Sequence, residues 1–173
     1  MPLAERRWYD MGAGYHGGFG KTFGSSHYAY GDATFMGDRE DFLKNIKNRK
    51  DVDINGQFDL IAHGSLSHVE IEHNGATVKI NSRVAARLIK QLPGYHGQDI
   101  RLLSCNTGAK NASFAQDLAN KLNVKVHAPT TYLWAGADGN HFVTGGKLVN
   151  GELVPDYSKP GHFKTYYPQR RKK

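Results

Sequence analysis

A histidine and a cysteine close two apolar runs, Leu60-Ile61-Ala62-His63-Gly64 and Leu102-Leu103-Ser104-Cys105, and Cys105 is the only cysteine in the chain. An imidazole beside a thiol is the pairing that nucleophilic sulfur chemistry needs, because the base holds or takes the thiol proton. A free thiol, with a pKa of about 8.5, is mostly protonated at neutral pH; a nearby imidazolium populates the thiolate. In open α/β sheets, ligands bind beyond the carboxyl ends of the strands. If the two runs are neighbouring strands, about 4.8 Å apart, imidazole and thiol face one another across one crevice. Gly64 lets the backbone approach a substrate carbonyl without a Cβ clash. The amide N–H groups of Gly64 and Cys105 are then the candidate oxyanion donors. The ordinary alternative is that a lone cysteine ending an apolar strand is a small buried hydrophobe and the histidine is structural. The order and register of the two motifs favour the functional pair.

The neighbours divide between chemistry and turn-making. Ser104 and Asn106 flank the cysteine, where they either line a substrate pocket or satisfy backbone groups at a strand exit; the turn reading is preferred. Tyr132 and Trp134 follow a third apolar run, and there they wall a pocket or pack in the core. Asp138 can recognise a basic substrate side chain, although an Asp-Gly turn explains it more simply. Within HVEIEH, residues His68, Glu70 and Glu72 share one strand face. That set is sparse for a metal, so a solvent-exposed hairpin face and no metal site are expected. His141 and His162 are expected at the surface or facing a partner.

Elements must position these residues. Asp38 can cap a helix through about Lys47, with Phe42, Leu43 and Ile46 on one face. QFDLIAHGS (57–65) reads as a strand ending in His-Gly. HVEIEH, Asn74-Gly75 and ATVKI read as a hairpin, because Asn-Gly suits two positive-φ positions. Asn81 or Ser82 caps a helix with Val84, Leu88 and Leu92 inward, stopped by Pro93-Gly94. DIRLLSC (99–105), a helix over 112–122 with Phe114, Leu118 and Leu122 inward, and the strand VKVHAP (124–129) follow. GKLVNGELV predicts a second hairpin around Asn150-Gly151. Alternating strands and helices predict an α/β fold, with a mainly parallel sheet flanked by helices, β-hairpin insertions and a β-rich C-terminal part. Residues 1–35 read as an irregular Gly- and aromatic-rich arm with a short strand near Tyr28–Phe35, residues 36–168 as the α/β domain, and 169–173 as a basic tail. GGFGKTFG in the arm is not a phosphate cradle, since no apolar strand precedes it and the Walker spacing is absent.

The 173 residues, 39% of them hydrophobic and 23% charged, fit one globular domain with a sizeable core. A single cysteine excludes an internal disulfide framework and a multi-cysteine zinc site. No apolar run reaches the roughly 20 residues of a membrane span, and MPLAERRWYD is not a classical signal peptide. The net charge is +7, concentrated in KNIKNRK and QRRKK. It serves solubility, or an anionic partner such as nucleic acid or an inositol phosphate.

AHGS followed by LLSCNTG resembles the His-Gly and Cys motifs of caspase-like (clan CD) cysteine peptidases, which include caspases, clostripain and gingipains. It is most similar to the self-processing protease domains of large clostridial toxins and multifunctional autoprocessing RTX toxins, whose order of elements residues 55–130 reproduce. FAQDLANKLNVKVHAPT and the later Gly-rich hairpins resemble C-terminal modules of RHS-type and other polymorphic bacterial toxins. The resemblance implies a caspase-like fold, with Cys105 as nucleophile, His63 as general base or proton holder, and Gly64 in the oxyanion hole. It implies a cysteine hydrolase, foremost a peptidase cleaving a protein through a thioester. Such an effector is secreted as part of a larger protein, delivered into a target-cell cytoplasm, and matched by a cognate immunity protein. No cofactor is expected; an inositol phosphate activator would fit the resemblance, but its basic constellation is not found residue by residue. Rival readings are a thioester-forming deamidase or transglutaminase, a basic metal-independent nuclease using His as acid and base, and a non-catalytic binding module.

Overall fold

The computed structural model describes residues 22–23, 26–28, 39–46, 48–52, 56–73, 76–92 and 95–169. The expected Asp38 cap, the Asn74-Gly75 turn, the Pro93-Gly94 stop, most of the arm and the tail from 170 lie outside the described residues.

Six strands form the main sheet in the order β1 (Thr22–Phe23), β2 (Ser26–Tyr28), β3 (Phe58–Ile61), β7 (Ile100–Leu103), β8 (Val126–Pro129), β12 (Phe163–Tyr166). The middle of it, β2-β3-β7-β8, is parallel, while β1 and β12 close the edges antiparallel. Two three-stranded antiparallel sheets flank it. One joins β4 (His63–Gly64), β5 (Val69–His73) and β6 (Ala76–Ile80); the other joins β9 (Leu133–Ala135), β10 (His141–Val149) and β11 (Glu152–Pro160). The described helices are α1 (Arg39–Ile46), α2 (Ser82–Lys90) and α3 (Phe114–Leu122). The expected α/β class with hairpins and a β-rich C-terminal part is therefore present, and the main sheet is mixed rather than wholly parallel. Strands β1 and β2 come from the segment expected to be an irregular arm.

Alternation along the central strands decides what each face meets. Phe58, Leu60, Ala62, Ile100, Leu102, Val126 and Ala128 face one side and pack against Ala85, Ala86 and Ile89 of α2 and Phe114, Ala115, Leu118 and Ala119 of α3. Burying each large side chain there contributes about 1.5–3 kcal/mol. The expected inward rows were Val84/Leu88/Leu92 and Phe114/Leu118/Leu122. Instead Val84, Leu88 and Leu122 are only partly buried, while Ala85, Ala86, Ala115 and Ala119 are buried in the cluster. A small residue brings the helix backbone nearer the sheet and moves the larger ones to its flanks. Asn81 caps α2 as expected, accepting the Val84 N–H at 3.0 Å.

The opposite face is layered. Ile61 and Leu103 form an apolar rung with Ile46 of α1 and Leu133 of β9. One rung below, Asp59 stands in register with Arg101. Asp59 is fully buried and takes Arg101 Nε at 2.8 Å, Arg101 Nη2 at 2.7 Å and Arg49 Nε at 3.0 Å. Arg101 reaches on to Asp51 at 2.7 Å, and His141 Nε2 lies 2.9 Å from the same carboxylate. His141, expected at the surface or facing a partner, is half-buried in this network.

Burial opposes the Asp51 charge, but hydrogen bonds from Arg101 and His141 outweigh it and hold the carboxyl at about 2. A lowered carboxyl pKa contributes stability that is complete above the unfolded value of about 4 and lost as pH falls toward 2. The Asp51 side chain is 40% exposed, so solvent screening keeps this contribution to about 1 kcal/mol or less. Urea midpoints measured from pH 5 to pH 2 are expected to fall, with the Asp51→Asn protein less stable at pH 5 and less pH-sensitive below 4.

Candidate functional site

The parallel register of β3 and β7 sets Ile61 beside Leu103, and the Ala62 N–H donates to the Leu103 carbonyl at 3.3 Å. Beyond this point the strands part. The chain from β3 leaves the main sheet at Ala62, so His63-Gly64 pairs with β5 as β4, His63 opposite Glu70 and Gly64 opposite Val69. The expected single strand 57–65 is thus two strands in two sheets. From β7 the chain enters a tight turn in which Asn106 has φ 63°, a left-handed conformation that Asn tolerates.

The two motifs still abut. A Cβ added to Gly64 would lie 2.8 Å from Thr107 Cγ2, 2.9 Å from the Cys105 carbonyl oxygen and 2.9 Å from Ser104 Cβ. Glycine at 64 is therefore what lets the His-Gly turn lie against the backbone of the Ser-Cys turn. Gly64→Ala forces them apart. A cost of about 1–3 kcal/mol is expected, read as a lower melting temperature together with slower reaction of Cys105 with a thiol reagent.

His63 is 8% exposed, and the Phe42 ring of α1 lies 5.9 Å from its imidazole. Cys105 is half-buried and packs against the cluster of Ile46, Ile61, Leu103 and Leu133 that lies under this end of the sheet. Its sulfur is held by β9, with the Leu133 N–H donating to Sγ at 3.3 Å and the Leu133 carbonyl 3.7 Å away. The chemistry-bearing residues therefore occupy the rung above Ile61–Leu103, as the apolar rung occupies the one above Asp59–Arg101.

The turn after Cys105 is fastened at several points. The Asn106 N–H donates to the Thr131 carbonyl and the Gly108 N–H to the Pro129 carbonyl, both at 2.9 Å. Thr107, fully buried, donates from Oγ1 to the Ser104 carbonyl at 3.1 Å. The Leu66 carbonyl accepts the Ser113 and Phe114 N–H groups at the start of α3, which fixes the loop after His63-Gly64. Both turns are therefore held by backbone hydrogen bonds.

Of the residues expected to line a pocket, Ser104 is buried with its hydroxyl 3.5 Å from Thr107 Oγ1, and Asn106 makes the turn. Tyr132 and Trp134 lie 5.9 Å apart, ring to ring, and Trp134 Nε1 donates to the Thr144 carbonyl at 3.0 Å. Asp138 is exposed and its carboxylate takes the Asn140 N–H at 3.0 Å and Nδ2 at 2.8 Å, closing the β9–β10 turn. That turn is tied to the end of α1, where Asn48 Nδ2 donates to the Ala137 carbonyl at 3.0 Å. The turn reading accounts for the observed bonds of Asp138.

Glu70 and His68, expected on a solvent-exposed face, are buried and half-buried respectively. Ser65 Oγ lies 2.7 Å from His68 Nδ1. Among the described residues no group of three or more His, Cys, Asp or Glu side chains can hold a metal ion, and no helix is long and apolar enough to cross a membrane. The sequence gives Thr107 to the Cys turn or the site wall and Phe42 to the inner face of α1; it missed the Leu133 amide, whose contact is a loop return with no local signal.

A family model described as Domain of unknown function (DUF8616) matches residues 31–143, which include both motifs and the whole β3-to-β9 segment. No curated protein and no solved structure matches the chain. The matched region is more than half of the chain, and the chain belongs to that family.

Proposed function

We propose that this member of the DUF8616 family is a Cys-His hydrolase of caspase-like type, foremost a cysteine peptidase. The observation that carries the reading is the direct packing of the His63-Gly64 turn on the Ser104-Cys105-Thr107 turn, at the carboxyl ends of two hydrogen-bonded parallel strands. In this reading His63 takes the proton of Cys105, and the sulfur attacks a substrate carbonyl. The amide N–H groups of Gly64 and Cys105 stabilise the oxyanion. His63 returns the proton to the leaving amine, leaving a thioester on Cys105. Water then attacks that thioester with His63 again as base, releasing the acid and the free thiol.

The parallel pairing of β3 with β7 supports the caspase-like placement of the two motifs, as does the hairpin and helix between them. The toxin-module setting, a protein substrate, delivery into a target cell and a cognate immunity protein follow from the sequence resemblance. Deamidation and transglutamination share the thioester and differ only in the acceptor and the amide attacked, so they form the second reading.

The test is incubation with proteins of a susceptible cell, read by mass spectrometry. New N-termini dependent on Cys105 support a peptidase. Glutamine-to-glutamate conversion or amide crosslinks without new termini move the assignment to the second reading. Degraded RNA that persists with Cys105 alkylated overturns both.

A further inference from the structure

The Cys-His reading leaves without a role a buried glutamate that stands in register with His63 across the β4–β5 pair. We propose that Glu70 is a positioning residue for His63, orienting the imidazole toward Cys105 and stabilising the imidazolium while it carries the sulfur's proton. This rests on the Cys-His reading and adds a third member to it.

The β4–β5 register places Glu70 directly opposite His63. Residues so paired project from the same face with Cβ atoms about 4.5–5.5 Å apart, within the reach of a glutamate and an imidazole. Both side chains are buried, His63 at 8% and Glu70 at 9% exposed. A carboxylate removed from water needs hydrogen bonds or a countercharge. On its other flank Glu70 stands opposite Lys79 of β6, which is exposed, so the ammonium retains water while His63 shares the buried side.

Among the described residues, the charged and titratable groups on the elements packed about His63 are Glu70 and Lys79 from the hairpin, His68 from the loop before β5, and Cys105 from the end of β7. From α1 it meets the uncharged Phe42 ring. His68 is the competing partner. Burial and Lys79 lower its pKa, and Glu70 opposes them, so the carboxylate's field already reaches this side of the hairpin. His68 is also engaged at Nδ1 by Ser65 Oγ, which leaves His63 as the imidazole in register with the acid. An acid in this place does not accept the proton. It fixes which ring nitrogen faces the sulfur and offsets the charge that the ring acquires.

The experiment follows each histidine by NMR titration in the Cys105→Ala protein, where sulfur chemistry plays no part. Glu70→Gln is expected to lower the His63 pKa by about 1 unit or more, while Glu70→Asp, which keeps the charge, restores most of it. A His63 titration unmoved by Glu70→Gln, or a shift confined to His68, overturns the proposal. Should Glu70→Gln fail to fold, Lys79→Gln with Glu70 intact decides. His63 keeping its titration supports the pairing; a rise at His68, whose pKa Lys79 lowers, is expected, and a rise at His63 as large as that at His68 contradicts it. Failure of the Cys-His reading itself shows elsewhere, as reactivity of Cys105 indifferent to His63→Ala while His63 and Glu70 remain coupled.

Discussion

Cys105→Ala is expected to lower the hydrolytic rate by at least about 10³-fold while leaving the fold intact. The rate loss follows from removing the atom that forms the covalent intermediate, since no other group in the site supplies an equivalent nucleophile. The fold survives because the sulfur is half-buried at a strand exit, and alanine keeps the Cβ that packs beside Ile61, Leu103 and Leu133. His63→Ala is expected to cost a comparable factor. The double variant should be little worse than either single one, because two groups that act as a unit do not contribute additively. Turnover of a cleaved protein and the growth of cells expressing each variant measure this, with circular dichroism as the control for folding. A fully active Cys105→Ala protein would remove the thiol from the mechanism.

Asp59→Ala is expected to produce the largest loss of stability, about 3–5 kcal/mol, of a total that for domains of this kind is about 5–15 kcal/mol. Asp59 is inaccessible to solvent and compensates two guanidinium groups, those of Arg49 at 2.9 Å and Arg101 at 2.7 Å. Without it both remain buried without their shared countercharge. Arg49 is the weaker partner, since burial lowers its hold on the proton against the pull of Asp59. At about 2–4 °C per kcal/mol for a chain of this size, calorimetry should register a fall of roughly 10 °C. Replacing Asp59, Arg49 and Arg101 together by apolar residues of similar volume is expected to recover much of this loss, because the paired charges themselves add little over good packing. A single Asp59→Ala variant within about 1 kcal/mol of the parent would show that the rung under the site is not held by this network.

What the sequence disclosed follows the range of the forces involved. The helices α1, α2 and α3 and the strands β3, β5, β7 and β8 are visible because apolar periodicity and local caps act over a few residues, as with Asn81 and Val84. The β10–β11 hairpin is equally local, Asn150 and Gly151 both adopting the positive φ of 52° and 83° that its turn requires. The adjacency of the His-Gly and Ser-Cys turns was legible as well, since consecutive strands joined by a helix tend to neighbour one another.

Long-range returns were not legible. β12 closes the main sheet beside β8, and β9 brings the Leu133 amide to the sulfur, through chain segments whose pattern carries no pairing information. The break at Ala62 was hidden inside one continuous apolar run. Asp59 and Arg101 each interrupt such a run, and only the in-register pairing of β3 with β7 turns two odd charges into a buried pair. Glu70 was assigned to solvent because alternation names two faces without saying which one a flanking sheet turns inward.

The most direct measurement of the central claim is the rate at which Cys105 reacts with iodoacetamide across pH, in the parent and in His63→Ala. A coupled imidazole predicts fast alkylation well below the ordinary thiol value of about 8.5, lost when His63 is replaced. Identical profiles for the two proteins, rising only near 8.5, would contradict it.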